Sequence, residues 1–307
     1  MLRYASMRVL GAIPTLLLVI VIAFIMVRAA PGGPFDAERV LPPEIERNIA
    51  HAYHLDEPLP RQLLRYISGL LDGDLGPSYR YRDYTVSELI GSALPLSFRL
   101  GLIAMSLALV LGVGTGLVAA LRKNTVLDRL LTGIAMLGIS VPIFVIAPLL
   151  VLGFAVYLNW LPAGWSSSSG ISRYLLPVFA LALPQIAFIA RITRGEMIGV
   201  MASDFVRTGR AQGLGTWSIV RYHALKPALL PLLSYMGPAM VGILTGSVVV
   251  EQIFGIPGLG QLFVRAALNR DYTVVLGSVI LYAVLIILFN LLVDILYGLL
   301  DPRIRRR

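Results

Sequence analysis

Stretches free of Asp, Glu, Lys and Arg recur along the chain. Val9 to Val27, Leu100 to Leu121, Tyr174 to Ala190, Pro227 to Val250 and Tyr272 to Val293 are each uncharged, and a longer uncharged run extends from Leu130 to Ser172. A helix needs roughly 20 mostly apolar residues to cross about 30 Å of hydrocarbon, so each of the first five is a candidate span. The longer run divides into a span to about Leu158 and a polar cap of Asn159, Trp160, Pro162, Gly164 and Ser166 to Ser169. The pattern predicts an all-α membrane protein of six transmembrane helices with both termini on one side. The first span, preceded by Arg3 and Arg8, has an apolar core longer than the roughly 7 to 15 residues of a secretory signal, and Arg28 stands near any cleavage point. It reads as a retained helix.

Between the first two spans, residues 30–95 have a soluble composition rich in proline. "PPEIERNIA" places Pro at a helix start with Glu44 and Glu46 in the first turn, where the macrodipole favours acids. Leu63, Leu64, Ile67, Leu70 and Leu71 then follow a helical spacing, which suits a helix lying on the membrane surface or on neighbouring spans, and "DGDLGPS" ends it. A small external element is expected, either covering the outer helix ends or touching substrate. Within the spans, Gly112, Gly114 and Gly116 superficially match a nucleotide fingerprint, but no strand precedes them. Gly112 and Gly116 form a small-xxx-small face for close helix contact. Pro142, Pro148, Pro177, Pro184, Pro231 and Pro238 fall in spans three to five, as simple kinks or as bends around a changing cavity.

Composition agrees with the pattern. Of 307 residues 57% are apolar and 14% charged, against about a quarter charged in soluble domains. The absence of cysteine excludes disulfides, a thiolate nucleophile and Cys-based metal sites. The net charge of +9 would suggest nucleic acid in a soluble protein, but the charges are segregated. Arg3, Arg8, the loop 122–129, the loop 191–226 and the tail 301–307 carry 15 basic residues against Asp128, Glu196, Asp204 and Asp301. The positive-inside rule makes that side cytoplasmic, termini included, and no nucleic acid partner is needed.

Several chemistries are missing. A phosphate-binding loop ends in G-K-[ST], but Lys123 and Lys226, the only lysines, precede Asn124 and Pro227, so ATP hydrolysis must reside on another chain. His51 and His54 have no evident third ligand and read as surface histidines, and His223 as a local hydrogen-bonding group, so no metal site is expected. Neither H-E-x-x-H nor G-x-S-x-G occurs, which argues against a membrane hydrolase and against any catalytic site on this chain. An ion-coupled transporter would want midplane carboxylates and inverted repeats, and no repeat is evident.

The segment 191–226 carries the most information. Ser203 or Asp204 can cap a short helix stopped by Gly213. Thr208, Gly209, Ala211 and Gly213 leave its backbone accessible, while Arg207 and Arg210 offer forked donors. The element is either a knob that docks in a partner's groove or a basic helix resting on anionic lipid. Asp294 lies one turn after Asn290 near the inner end of the last span, where a lone charge is expensive; pairing with Arg191 or Arg194 would make a structural clamp, the alternative being a substrate or proton site. Arg99 is expected to snorkel outward. Glu251 ends span five before "GIPGLG", where a capped helix end with a glycine-rich turn is one reading.

Taken together, "RTGRAQGL" and "HALKPALLP", with "AIPTLL", "PPEIERNIAHAYHLDEP", "GDLGPSYRYRDYTV", "SVPIFVIAPLLV", "WLPAG", "ARITRGEM", "YMGPAMVGILTGSVVVEQIFGIPGLGQLF" and "DPRIR", resemble the permease subunits of binding-protein-dependent ABC importers over nearly the whole chain. In the general loop pattern E-A-A-x-x-x-G-x9-I-x-L-P, Gly213 is present, but Arg207, Thr208 and Gly209 replace the first three residues. "PPEIERN" and "DYTV" resemble the B-type membrane subunits of oligopeptide permeases; dipeptide, glutathione and nickel permeases share the rest. The resemblance implies a type I importer fold over 1–307, with a periplasmic insertion at 30–95, core helices at 94–300 and a cytoplasmic coupling helix at 203–214. It implies an inner-membrane pore working by alternating access, with a second permease, two ATPases that hold ATP and Mg, and a periplasmic or lipid-anchored peptide-binding protein as partners. Coupling would fall to Asp204, Phe205, Arg207, Thr208, Gly209, Arg210, Ala211, Gln212, Gly213 and Leu214. Glu251 would approach a gate at the external mouth. Position in span five suggests Ser234, Tyr235, Met240, Thr245, Ser247 and Glu251 for the path.

Overall fold

A computed structural model describes residues 2–29, 51, 54, 56–81 and 83–300. Among these the chain is helical, with one isolated bridge, Pro77 to Thr85, in place of any sheet. The helices are α1 (Leu2–Ala29), α2 (Leu59–Leu71), α3 (Val86–Leu121), α4 (Val126–Ser140), α5 (Ile143–Leu150), α6 (Leu175–Met201), α7 (Asp204–Ala211), α8 (Thr216–Ile219), α9 (Leu225–Phe254), α10 (Leu259–Leu268) and α11 (Tyr272–Leu300). The expected acid-rich helix start at Glu44 and Glu46 lies outside the described residues.

Among the described residues five helices are long and apolar enough to cross a membrane, and α4 with α5 and its extension makes a sixth where the bent pair is counted as one span. Expectation and structure differ there. The run to Leu158 was expected as one helix, but its halves bend by 107°. Pro142 is the cause: its ring disfavours the α region for the preceding residue, and Val141 is extended at φ −93° and ψ 121°. Pro148 lacks the N–H its turn would use, and a π-helical stretch, Val151–Tyr157, follows it. The second span begins at Val86, well before Leu100, on a capping box in which Thr85 N–H donates to Glu88 Oε2 at 2.8 Å and Glu88 N–H to Thr85 Oγ1 at 3.2 Å. Residues 86–95, expected in the external insertion, are thus the start of a long helix. The fourth span runs on past Ala190 to Met201, so Arg191 and Arg194 sit on a helix instead of in a loop.

Contacts divide the chain into two compact units. One comprises Ser6–Ser97 and Pro257–Ile287. In it Ile20, Ala23 and Phe24 of α1 pack with Leu276 and Ile280 of α11, and the face of α2 bearing Leu63, Tyr66, Ile67 and Leu70 lies on that cluster. The amphipathic helix read from the sequence therefore rests on neighbouring spans. A second cluster joins Val86 and Ile90 to Leu259, Ala266 and Val274. Buried Asp271 ties this unit together: it accepts hydrogen bonds from the Ser78 hydroxyl, from Tyr79 N–H at 3.2 Å and from Thr273 Oγ1 at 3.0 Å.

The other unit comprises Met1–Ala5, Phe98–Ile256 and Leu288–Arg307. Its centre is α6, whose Leu181, Ile189 and Met197 are almost wholly buried. Helix α3 reaches α6 through the glycines flagged by the sequence. A methyl group at Gly116 would lie 2.5 Å from the Ala190 carbonyl oxygen, and one at Gly112 would lie 2.7 Å from Ile189, so backbones meet where only hydrogen fits. In this unit Ala120, Met197, Val220, Ala224 and Ala228 also form one buried cluster.

Candidate functional site

Helix α7 is short, and its ends explain why it forms. Asp204 opens the first turn, where the helix dipole favours a carboxylate, and Arg210 closes the last. Ser203, the expected cap, is extended, but its hydroxyl donates back to the Val200 carbonyl at 2.6 Å, so Asp204 contributes charge and no side-chain cap is made. The stop is built as the sequence reading requires. Gly213 adopts φ +83°, Leu214 N–H donates to the Gly209 carbonyl at 3.0 Å and Gly213 N–H to that of Arg210 at 3.0 Å, a Schellman closure.

One face of α7 is spent inside the unit. Val206 and Gly209 are buried, and a methyl at Gly209 would meet Leu214 and Ile219 at 3.5–3.7 Å. Gly209 therefore belongs to the inward face, a correction to its expected place on an accessible surface. The remaining predicted coupling residues, Asp204, Phe205, Arg207, Thr208, Arg210, Ala211, Gln212, Gly213 and Leu214, are exposed. Phe205, Leu214 and Trp217 offer large apolar surface at 49%, 36% and 65% exposure. Arg207 and Asp204, 3.3 Å apart and open to water, pair weakly. Sequence reasoning missed Trp217, although an indole in a basic loop after a helix stop was visible.

Arg194 is clamped by an acid at the start of α4. Arg194 Nε and Nη2 reach Asp128 Oδ1 and Oδ2 at 2.6 and 2.8 Å, a bidentate fork, and the Asp128 side chain is 3% exposed. Asp128 also accepts from Asn124 N–H at 2.9 Å, so one carboxylate joins the start of α4 to α6. Asp294 lies half-buried on α11, and Asn290 packs on Gly237, where an added methyl would sit 2.7 Å from its Oδ1. Arg191 lies over the Phe188 ring, 5.2 Å from its centroid.

The six residues suggested for the path separate into two groups. Met240, Ser247 and Glu251 are buried in the chain's own packing. Ser234 and Thr245 are exposed, and Tyr235 is half-buried, its hydroxyl donating to Gln185 Oε1 at 2.8 Å. The exposed face of α9 is a stripe of Pro231, Ser234, Pro238, Thr245 and Gln252, largely at a spacing of seven. After Glu251 the helix ends on Gly255 in the left-handed region, with Ile256 N–H donating to the Glu251 carbonyl at 2.8 Å. This is the capped end with a glycine turn that the sequence offered as one reading.

The comparisons with known proteins agree with this geometry. Residues 112–306 match the family described as binding-protein-dependent transport system inner membrane component, and residues 1–95 match the N-terminal family of the same systems. The oligopeptide transport system permease protein OppB of Escherichia coli K12 is 53% identical over 99% of this chain and 100% of its own length. The dipeptide transport system permease protein DppB of Bacillus subtilis is 40% identical over 99% of this chain and 98% of its own. Among solved structures, the inward-facing MetNI methionine ABC transporter matches with a TM-score of 0.60 at 17% identity, over 69% of this chain and 96% of that one, a likeness of fold. With spans, family match and importer fold in agreement, the chain belongs to the binding-protein-dependent transport system inner membrane components, as a multi-pass permease subunit of an ABC importer.

Proposed function

We propose that this permease forms one half of the translocation path of an oligopeptide importer and takes its energy from separate ATPase chains through α7. The observation that carries the reading is end-to-end similarity: 53% identity to an oligopeptide permease extends through the regions of α7 and α9, against 40% for a dipeptide permease. The residues supply a mechanism. An exposed knob of Phe205, Leu214 and Trp217, flanked by Arg207 and Arg210, suits a groove on an ATPase. Behind it, the cluster of Ala120, Met197, Val220, Ala224 and Ala228 connects the inner ends of α3, α6 and α9, so a push on α7 moves them together. Two discrete packings of such a lever give inward and outward access.

A second permease completes the path along the stripe of Pro231, Ser234, Pro238, Thr245 and Gln252. Small, weakly polar side chains hold a peptide loosely, by backbone and shape, which leaves selection to a periplasmic or lipid-anchored binding protein. The basic face that carries α7 lies in the cytoplasm together with both termini. The test is reconstitution of the permease pair, ATPases and binding protein in liposomes: labelled oligopeptide accumulates only with ATP. Uptake by this chain alone, driven by a proton gradient without ATPases, refutes the reading.

A further inference from the structure

In the unit of Ser6–Ser97 and Pro257–Ile287, a cavity of about 250 Å³ opens beside the end of α1. Its floor includes Phe24, Val27 and Leu276, and its rim carries Arg28, Arg65 and Asp74. An apolar floor under a charged rim fits an amphiphile. The volume lies below the roughly 300–1,000 Å³ of drug-sized ligand sites, which leaves room for a headgroup and too little for a peptide of several residues.

The charges narrow the class. Arg28 and Arg65 are cationic and Asp74 anionic, while Arg65 Nη2 and His54 Nδ1 reach Glu57 Oε1 at 2.6 and 3.4 Å, so among the described residues both signs of charge stand at the cavity. A rim of both signs suits a zwitterion. The Asp74 carboxylate is fixed by Gly76 N–H at 2.8 Å. Tyr66 supplies a second, independent sign. It lines the cavity, and its hydroxyl is buried without a hydrogen-bond partner among the described residues. Burial pushes this phenol well above its usual range, so it stays a donor. A buried unmet donor is destabilising, and an occupant bearing an acceptor removes that cost. Phe24, Val27, Leu75 and Leu276 give the cavity an apolar lining that can receive the start of an acyl chain.

We propose that this cavity is a phospholipid site selective for a headgroup with a primary ammonium, the phosphate facing Arg28, Arg65 and the Tyr66 hydroxyl and the ammonium facing Asp74. Phosphatidylethanolamine has that chemistry, whereas phosphatidylcholine has no N–H to donate. The proposal needs the chain to be a membrane protein but does not depend on which substrate it carries.

The test is native mass spectrometry of the whole permease complex, purified with phosphatidylethanolamine and challenged with phosphatidylcholine or phosphatidylglycerol. The native complex should retain phosphatidylethanolamine about tenfold more strongly than either competitor, the equivalent of about 1.4 kcal/mol. Arg28→Ala and Asp74→Ala should each abolish the preference. Tyr66→Phe, which keeps the ring beside Phe24, should weaken retention several-fold without loss of fold. Equal retention of the three lipids, an unchanged preference in the variants, or displacement of the lipid by free oligopeptide would overturn the assignment.

Discussion

The fork between Arg194 and Asp128 predicts an asymmetric response to mutation. Arg194→Met leaves a carboxylate whose side chain is 3% exposed, with Asn124 N–H at 2.9 Å and the Thr132 hydroxyl at 3.4 Å as remaining donors. Breaking the pair from that side is the costlier change, because the stranded carboxylate has little direct access to water. Asp128→Asn strands Arg194 instead, but that side chain is 29% exposed and can turn to solvent, so the loss is about 1–2 kcal/mol. The double variant Asp128→Asn/Arg194→Met removes both charges and should recover about 1.5–3 kcal/mol relative to the sum of the single losses. Unfolding in mixed micelles, followed by tryptophan fluorescence for the wild type and the three variants, closes the cycle. Equal losses from the two sides, or strict additivity in the double variant, would refute the claim that a buried carboxylate and its fork join α4 to α6.

Three further outcomes follow from close contacts. Gly116→Leu should destabilise by about 2–4 kcal/mol or block membrane assembly, since even its Cβ would sit 2.5 Å from the Ala190 carbonyl, whereas Gly114→Leu, with open space around it, should be tolerated; thermal unfolding of the two separates packing from helix propensity. Tyr235→Phe strips buried Gln185 of a 2.8 Å donor and should cost about 1–2 kcal/mol, with less additional loss when combined with Gln185→Leu, as a denaturation cycle would read. Gly213→Val forces a β-branched residue into φ +83° and should cost about 1–2 kcal/mol locally, lowering ATPase co-purification and ATP-driven uptake together; normal uptake would remove α7 from the coupling path.

The spans were legible because hydrocarbon imposes one simple rule on composition. Their ends were less so. Counting charges discards Glu88 and Arg99 and so misses the first turns of α3, although the Thr85-x-x-Glu88 box announces its start. The break at Val141 and Pro142 was encoded in a single ring, whose effect on direction is visible only with the neighbours in place. Gly213 could be read as a stop because φ +83° is a local demand. Asp128 and Arg194 are 66 positions apart, and no local pattern pairs them. The faces of α9 were hidden for a related reason: in a span that meets both lipid and protein, apolar residues occur all round, and only packing separates buried Met240 and Ser247 from exposed Ser234 and Thr245.

The central claim is that energy enters this chain at α7, and the absence of native cysteine makes a direct measurement simple. Arg210→Cys and, as a distant exposed control, Ile171→Cys would each be paired with a single-cysteine ATPase in the reconstituted complex and oxidised. Arg210→Cys should form a disulfide with the ATPase in a nucleotide-dependent manner while Ile171→Cys forms none. No cross-link from Arg210→Cys, in a complex that still imports peptide with ATP, would contradict the account.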